Sequence, residues 1–246
     1  MFGLFKKKEA KKNITFDYSS LIVDMHSHVL PGIDDGAQNT DESIFLIKKM
    51  MDLGIKKIIA TPHIMIDYYR NTAETINGSL EILKAALIKE NIQIEIEAAA
   101  EHYFDETFEA RVNDGKLMVM GDNYVLFEFS FINKPPNTIS VVQKLRELGY
   151  KPILAHPERY PYLTMDDFEM LHSWGVDFQL NTISLTGYYG SEAKKLSENL
   201  IDKQLIDFIS SDMHHPRHAD ALKNALRMPY VEKLLFDYPL KNSLLR

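Results

Sequence analysis

From residue 21 onward, short apolar runs alternate with longer stretches in which apolar residues recur every three or four positions. The runs "LIVDMH", "KKIIATPH", "IQIEIEAAAEH", "YVLFEFS", "KPILAHPER", "VDFQLNTIS" and "LIDFISSDMH" are rich in β-branched and aromatic residues and read as strands. Between or after them, "DESIFLIKKMMDLG", "ETINGSLEILKAALIKEN", "DETFEARVNDG", "NTISVVQKLRELG", "MDDFEMLHSWG", "SEAKKLSENLIDKQ" and "HADALKNALRMPYVEKLLFD" read as helices. Gly54, Gly149 and Gly175 fall just after three of these, where a left-handed cap is wanted. Seven β/α repeats with no obvious linker predict an α/β fold with a parallel sheet covered by helices, either open and doubly wound or closed as a barrel. No G-x-G-x-x-G and no G-x-x-x-x-G-K-[ST] follows a strand, so the nucleotide-binding forms of the open sheet lose their fingerprint.

The polar residues that interrupt these strands recur in one place, at or near the C-terminal end. His26 and His28 close the first strand, His63 the second, and Glu101 and His102 the third; Glu128 interrupts the fourth, His156 and Arg159 end the fifth, and Asp212 and His214 the seventh. In a parallel β/α barrel all these ends converge on one face, so residues far apart in the chain become neighbours. A single strand-end histidine such as His63 reads by itself as a hydrogen-bonded rim residue. His26 and His28 differ, because a period-two pleat turns both to the same side, as chelation requires. Several histidines and carboxylates crowded at one rim need cations among them. The imidazole and carboxylate set suits a first-row divalent ion and exceeds what one ion takes, which implies more than one metal. Arg159 offers a planar donor fork that matches phosphate, although a surface ion pair would use it equally well. Arg217 is a weaker second candidate for phosphate. His172, beside Trp174, reads as packing or surface, and His215 and His218 read as loop residues too close to His214 to share its site.

Composition narrows the function classes. The chain has 246 residues, 45% of them apolar, enough for a large core. A formal charge of −7 offers no broad positive field for a nucleic-acid backbone. The absence of cysteine removes disulfides, thiolate metal sites and cysteine nucleophiles, and is compatible with a reducing cytoplasm. Residues 1–20 carry five lysines between Lys6 and Lys12 and read as a flexible basic leader, able to make weak contact with a membrane surface; residues 21–246 read as one catalytic domain. No apolar run approaches the roughly 20 residues of a membrane span.

The motifs "DMHSHVLPGIDDGAQN", "ATPH", "AAEHYFD", "LFEFS", "LAHPERY" and "SSDMHH", in that order, resemble the polymerase-and-histidinol-phosphatase (PHP) superfamily. More narrowly, they look like the bacterial metal-dependent protein-tyrosine phosphatases of capsule and exopolysaccharide synthesis, the CpsB/YwqE type. The resemblance implies a distorted seven-stranded, TIM-like β/α barrel holding three divalent ions, manganese, iron or zinc. In that reading His26, His28, Glu101 and Asp212 hold one ion. Glu101, as a bridge, holds a second with Glu128 and His156, and Asp35, His63 and His214 hold the third. Arg159 grips the phosphate of phosphotyrosine and acts with His26 and Asp212 in catalysis, Arg217 stands near a second arginine of some members, Asp24 orients a ligand, and His102 has no metal role. The implied partner is the tyrosine-rich tail of a bacterial tyrosine kinase, and an oligomer is compatible with it. Two other functions fit the same residues: a small-molecule phosphatase of the histidinol-phosphate kind, and a non-catalytic, metal-stabilised module that binds phosphopeptides.

Overall fold

A computed structural model describes residues 16–246; the lysine cluster and most of the expected leader lie outside the described residues. The strands are β1 (Val23–Asp24), β2 (Lys57–Ala60), β3 (His63–Ile64), β4 (Glu95–Ala98), β5 (Glu101–Tyr103), β6 (Tyr124–Glu128), β7 (Lys151–Ala155), β8 (Asp177–Asn181) and β9 (Phe208–Ser210). The helices are α1 (Thr40–Asp52), α2 (Ala73–Lys89), α3 (Glu106–Asp114), α4 (Thr138–Glu147), α5 (Met165–Ser173), α6 (Ser191–Asp202), α7 (Pro216–Ala225) and α8 (Pro229–Phe236). Every strand pairing is parallel, in two sheets ordered β1-β2-β4 and β3-β5-β6-β7-β8-β9.

The expectation of seven strands in one sheet is therefore corrected to nine strands in two sheets among the described residues. The second and third apolar runs each break in the middle. Pro62 has no N–H to offer a ladder, and the Thr61 N–H turns instead to the Ser27 carbonyl at 2.8 Å, so β2 ends and β3 pairs with β5. The last helical stretch also divides, because Pro229 takes the first position of α8. Gly54, Gly149 and Gly175 have φ of 95°, 84° and 83°, the left-handed caps expected of them.

β1 and β9 meet at their C-terminal ends. Ser27 and Met213 form a parallel bridge, His28 N–H donates to the Met213 carbonyl at 2.8 Å, and Asp212 N–H donates to the His26 carbonyl at 2.9 Å. Asp24 strengthens this junction by accepting from Ser210 Oγ (2.7 Å) and Ser211 N–H (2.9 Å).

The period of two sorts the strand residues into two apolar layers. Val23, Met25, Ile59, Leu126, Ile153, Ala155 and Phe208 pack together on the inner side, while Val125, Phe127, Leu154, Phe178, Leu180 and Ile209 pack outward against the helices. The inner layer forms the floor below the strand ends. Tyr18 is also buried, and its hydroxyl donates to the Leu222 carbonyl at 2.9 Å, so the folded part begins before residue 21.

Candidate metal centre

The site is built from strand ends. His63 begins β3 and pairs in register with Glu101, the first residue of β5, and Glu128 is the last residue of β6. Leu126 lies in the inner layer, so the pleat carries Glu128 to the same side, above that floor. His156 and Asp212 follow β7 and β9 with φ of 33° and 49°. A left-handed backbone at a non-glycine residue costs on the order of 1–3 kcal/mol and is characteristic of functional sites, and here it ends each strand with a side chain turned into the cavity. Gly36 lets its loop press on His28: a Cβ there would lie 1.9 Å from the His28 carbonyl oxygen.

Four atoms converge at the centre. His26 Nε2 lies 3.2 Å from His28 Nε2, 3.2 Å from Glu101 Oε2 and 3.3 Å from Asp212 Oδ1. His28 Nε2 lies 3.3 Å and 3.5 Å from the same two oxygens. A tetrahedral divalent ion with bonds of about 2.1 Å requires ligand separations of about 3.4 Å, which these match.

Proton positions follow from a chain of hydrogen bonds that starts at a carboxylate. Asp212 Oδ2 can only accept, so Asn181 Nδ2 donates to it (2.7 Å), Gln179 Nε2 donates to Asn181 Oδ1 (3.1 Å), and Gln179 Oε1 faces His26 Nδ1 (2.8 Å). His26 therefore donates from Nδ1. His28 Nδ1 likewise donates to Asp34 Oδ2 at 2.8 Å. With those Nδ1 protons fixed, the Nε2 atoms are the ones that present lone pairs once each imidazole is neutral, and the four converging atoms are then all acceptors. His63 Nδ1, Glu101 Oε2 and Asp212 Oδ1 are buried with no hydrogen-bond partner among the described residues. Such unmet groups cost about 1–3 kcal/mol each, and a cation is their common remedy.

The electrostatics agree. Burial acts to lower the pKa of His28, but the Asp34 charge prevails and raises it to about 10. Burial likewise opposes protonation of His26, which the charges of Glu101 and Asp212 nevertheless raise. Burial would raise Glu101 and Asp212, yet the surrounding imidazoles, His26 first, hold both well below the usual carboxylate range. The cavity thus draws in positive charge. Protons on both Nε2 atoms would set two N–H groups face to face at 3.2 Å, whereas one ion satisfies all four acceptors. These residues fit a metal ion.

Two neighbouring groups extend the centre. His63 Nδ1 lies 3.2 Å from Glu101 Oε2 and 3.0 Å from Glu128 Oε1, and His156 Nε2 lies 3.0 Å from Glu101 Oε1 and 3.8 Å from Glu128 Oε2. Glu101 thus faces two ways, as a bridge must. Asp35 Oδ1 lies 3.4 Å from His63 Nε2 and 3.6 Å from His214 Nε2. All nine candidate ligands therefore meet, in overlapping groups whose donor atoms lie within 4.8 Å of one another.

A cavity of about 260 Å³ opens above them, lined by Arg159, Phe131 and Tyr189 as well as seven of the nine candidate ligands; His26 and His28 lie beneath its lining. The Arg159 guanidinium is held between the rings of Phe131 and Tyr189, 4.3 Å from each centroid, and Nη1 lies 3.6 Å from Asp212 Oδ2. Arg217 is exposed on the first turn of α7 and is not among the residues lining this cavity. Asp24 touches no candidate ligand's side chain; it acts through Ser210, whose Oγ accepts from His26 N–H at 2.8 Å. His102 points away from the centre and stacks on Phe108. His172 lies elsewhere, 3.4 Å from Asp207 Oδ2.

Sequence reasoning missed several residues. His215 and His218 line the cavity, and His218 is not in a loop but in α7, with Nδ1 2.8 Å from the Asp212 carbonyl. Asp34, beside the expected ligand Asp35, is the residue that accepts from His28 Nδ1. Gln179 and Asn181, at alternate positions of β8, are fully buried, and that alternation was the available signal. Tyr160, in the tyrosine-rich stretch "ERYPY" that suggests an aromatic wall, instead places its hydroxyl 3.3 Å from His156 Nδ1.

The chain is similar to known proteins. The tyrosine-protein phosphatase YwqE of Bacillus subtilis is 32% identical over 197 residues, covering 79% of this chain and 78% of that protein. The tyrosine-protein phosphatase CpsB of Streptococcus pneumoniae is 24% identical over 202 residues, covering 79% of this chain and 83% of its own. A crystal structure from work on YwqE and CpsB, described as metal-dependent tyrosine phosphatases, superposes with a TM-score of 0.81 at 29% identity, covering 91% of this chain and 93% of the other. The family model for capsular polysaccharide synthesis proteins, CpsB/CapC, matches residues 22–237, and the chain belongs to that family.

Proposed function

We propose that this protein is a metal-dependent protein-tyrosine phosphatase that hydrolyses phosphotyrosine on a protein of capsular or exopolysaccharide synthesis. The observation that carries it is the cage of four converging acceptors, His26, His28, Glu101 and Asp212, with the Arg159 fork at its mouth. In this reading the centre takes three divalent ions: one in that cage, a second held by Glu101, Glu128 and His156, and a third by Asp35, His63 and His214. Ions held there supply Lewis acidity and activate water near neutral pH.

The chain's own residues do the rest. Gln179 and Asp34 fix His26 and His28 with Nε2 turned inward, so that neither ring need rotate when a ligand arrives. Arg159, clamped between two rings, meets the equatorial oxygens of the phosphoryl group and neutralises charge as it develops. Phenolate is a good leaving group and needs little help from a side-chain acid. We further read the two sheets as one distorted closed barrel, supported by the Ser27 and Met213 bridge. The partner is taken to be the tyrosine-rich tail of a bacterial tyrosine kinase and the setting the cytoplasm, in keeping with the capsular-synthesis family and the absence of cysteine.

The test is turnover of phosphotyrosine peptides and of an aryl phosphate after metal stripping and reconstitution. Activity should vanish on chelation and return with a divalent ion, and Arg159→Lys should lower kcat/KM by about 100-fold. Turnover that persists after exhaustive chelation would refute the proposal.

A further inference from the structure

We propose that the groove between the turn after β7 and helix α6 binds the peptide segment flanking the phosphotyrosine, so that the enzyme reads a peptide as well as a phosphorylated ring. The inference rests on the phosphatase reading above.

The metal cavity, at about 260 Å³, is smaller than the roughly 300–1,000 Å³ typical of sites that enclose a whole small ligand. It has room for the phosphorylated ring, and the chain that carries the ring must lie outside. A second cavity, of about 610 Å³, adjoins it, and Phe131, Arg159 and Tyr189 line both. The stack of ring, guanidinium and ring is therefore a shared wall: a substrate whose phosphate meets Arg159 continues across the stack into the groove.

The groove has the chemistry of a peptide site. Ala193, Leu196 and Pro161 give it apolar sides, and the exposed Glu192 and Lys195 place opposite charges along it. Glu158 also lines it and is 2% exposed. One of its oxygens is committed: Oε1 accepts from Asn181 N–H at 3.1 Å and from Ser184 Oγ at 2.6 Å. The other, Oε2, is buried with no hydrogen-bond partner among the described residues. A buried carboxyl oxygen needs a polar partner, and a peptide backbone brings an N–H and a C=O at nearly every residue. The 3-10 turn Pro157–Arg159 thus sets two neighbours to related tasks, Arg159 for the phosphate and Glu158 for the chain behind it. Small or apolar neighbours of the phosphotyrosine suit such walls.

The experiment uses the full chain loaded with a divalent metal and measures kcat/KM on a phosphotyrosine peptide with small apolar neighbours and on p-nitrophenyl phosphate. The reading is the ratio of the two. In Leu196→Lys and in Ala193→Phe, which narrow or recharge the groove, the peptide-to-aryl ratio should fall by about tenfold, because remote binding energy is lost from the peptide alone. Leu196 is only half-buried on α6, so its variant reports even where the bulkier change at Ala193 disturbs folding. A ratio within about twofold of the parent in the Leu196 variant overturns the proposal. If the unaltered enzyme turns over neither substrate with any divalent ion, the phosphatase reading itself fails and the groove proposal falls with it.

Discussion

Asp34→Asn is an almost isosteric change that should disable the centre without replacing a candidate metal ligand. Asp34 is buried and receives three donors: His28 Nδ1–H at 2.8 Å and His63 N–H at 3.2 Å on Oδ2, and Gly36 N–H at 2.9 Å on Oδ1. A carboxylate accepts on both sides, whereas an amide accepts on one and donates on the other. If the amide nitrogen faces Gly36, two N–H groups clash in the loop that presses on His28. If it faces His28, the imidazole must move its proton to Nε2, where that proton occupies the position of a bound ion. Losing the orienting partner of a metal-binding histidine weakens metal affinity or activity by about 10–100-fold, or about 1.4–2.7 kcal/mol. The assay is a chelator-competition titration of the metal-free protein, paired with aryl phosphate turnover at saturating metal, with a thermal melt to exclude unfolding. A folded Asn variant with parental affinity and turnover would show that the proton assignment at His28 is wrong.

Two further outcomes follow from the same geometry. Gly36→Ala would put a Cβ 1.9 Å from the His28 carbonyl oxygen and 2.5 Å from its Cβ, contacts with backbone that no rotamer relieves. A stability loss on the order of 3 kcal/mol or more, with depleted metal content, is expected in melting and metal analysis; a parental Tm with full metal would contradict the loop geometry. The pH dependence has a defined sign. His28 has its pKa raised from 6.5 to about 10 by Asp34, so in the metal-free protein its stabilising contribution is complete below about 6.5 and is lost as pH rises through about 10. Glu101 and Asp212, held low by the imidazoles, contribute above their ordinary range and lose that contribution only in acid. Metal ions replace the protons, so the Tm increment produced by saturating divalent metal should grow between about pH 6.5 and pH 9. An increment that shrinks over this interval would argue that the imidazoles do not exchange protons for metal.

Much of the site was legible because strand ends are marked locally. The histidines and carboxylates at the ends of apolar runs, His26, His28, His63, Glu101, Glu128, His156, Asp212 and His214, all reach one cluster of ligating atoms. The residues that hold them were less visible. Asp34 and Asp35 are identical in type and adjacent in sequence, and only the fold of the loop decides that Asp34 supports His28 while Asp35 faces His63 and His214. Gln179 and Asn181 carry no charge and sit inside a strand, and their importance comes from partners on β1 and after β9. His218 lay hidden among neighbouring histidines until the turn of α7 brought it beneath the Asp212 carbonyl.

The sequence by itself determined the alternation of strands and helices, the parallel character of the sheets and the donor types gathered at their ends. Each of these follows from local backbone geometry, in which a period of two or of 3.6 residues shows directly in the order of apolar and polar side chains. The tertiary structure alone decided that two strands break, that Arg159 is clamped between Phe131 and Tyr189, and which nitrogen of each imidazole is free. Those outcomes depend on contacts between residues many positions apart, where differences of a few tenths of an ångström decide between a hydrogen bond and an open ligand atom.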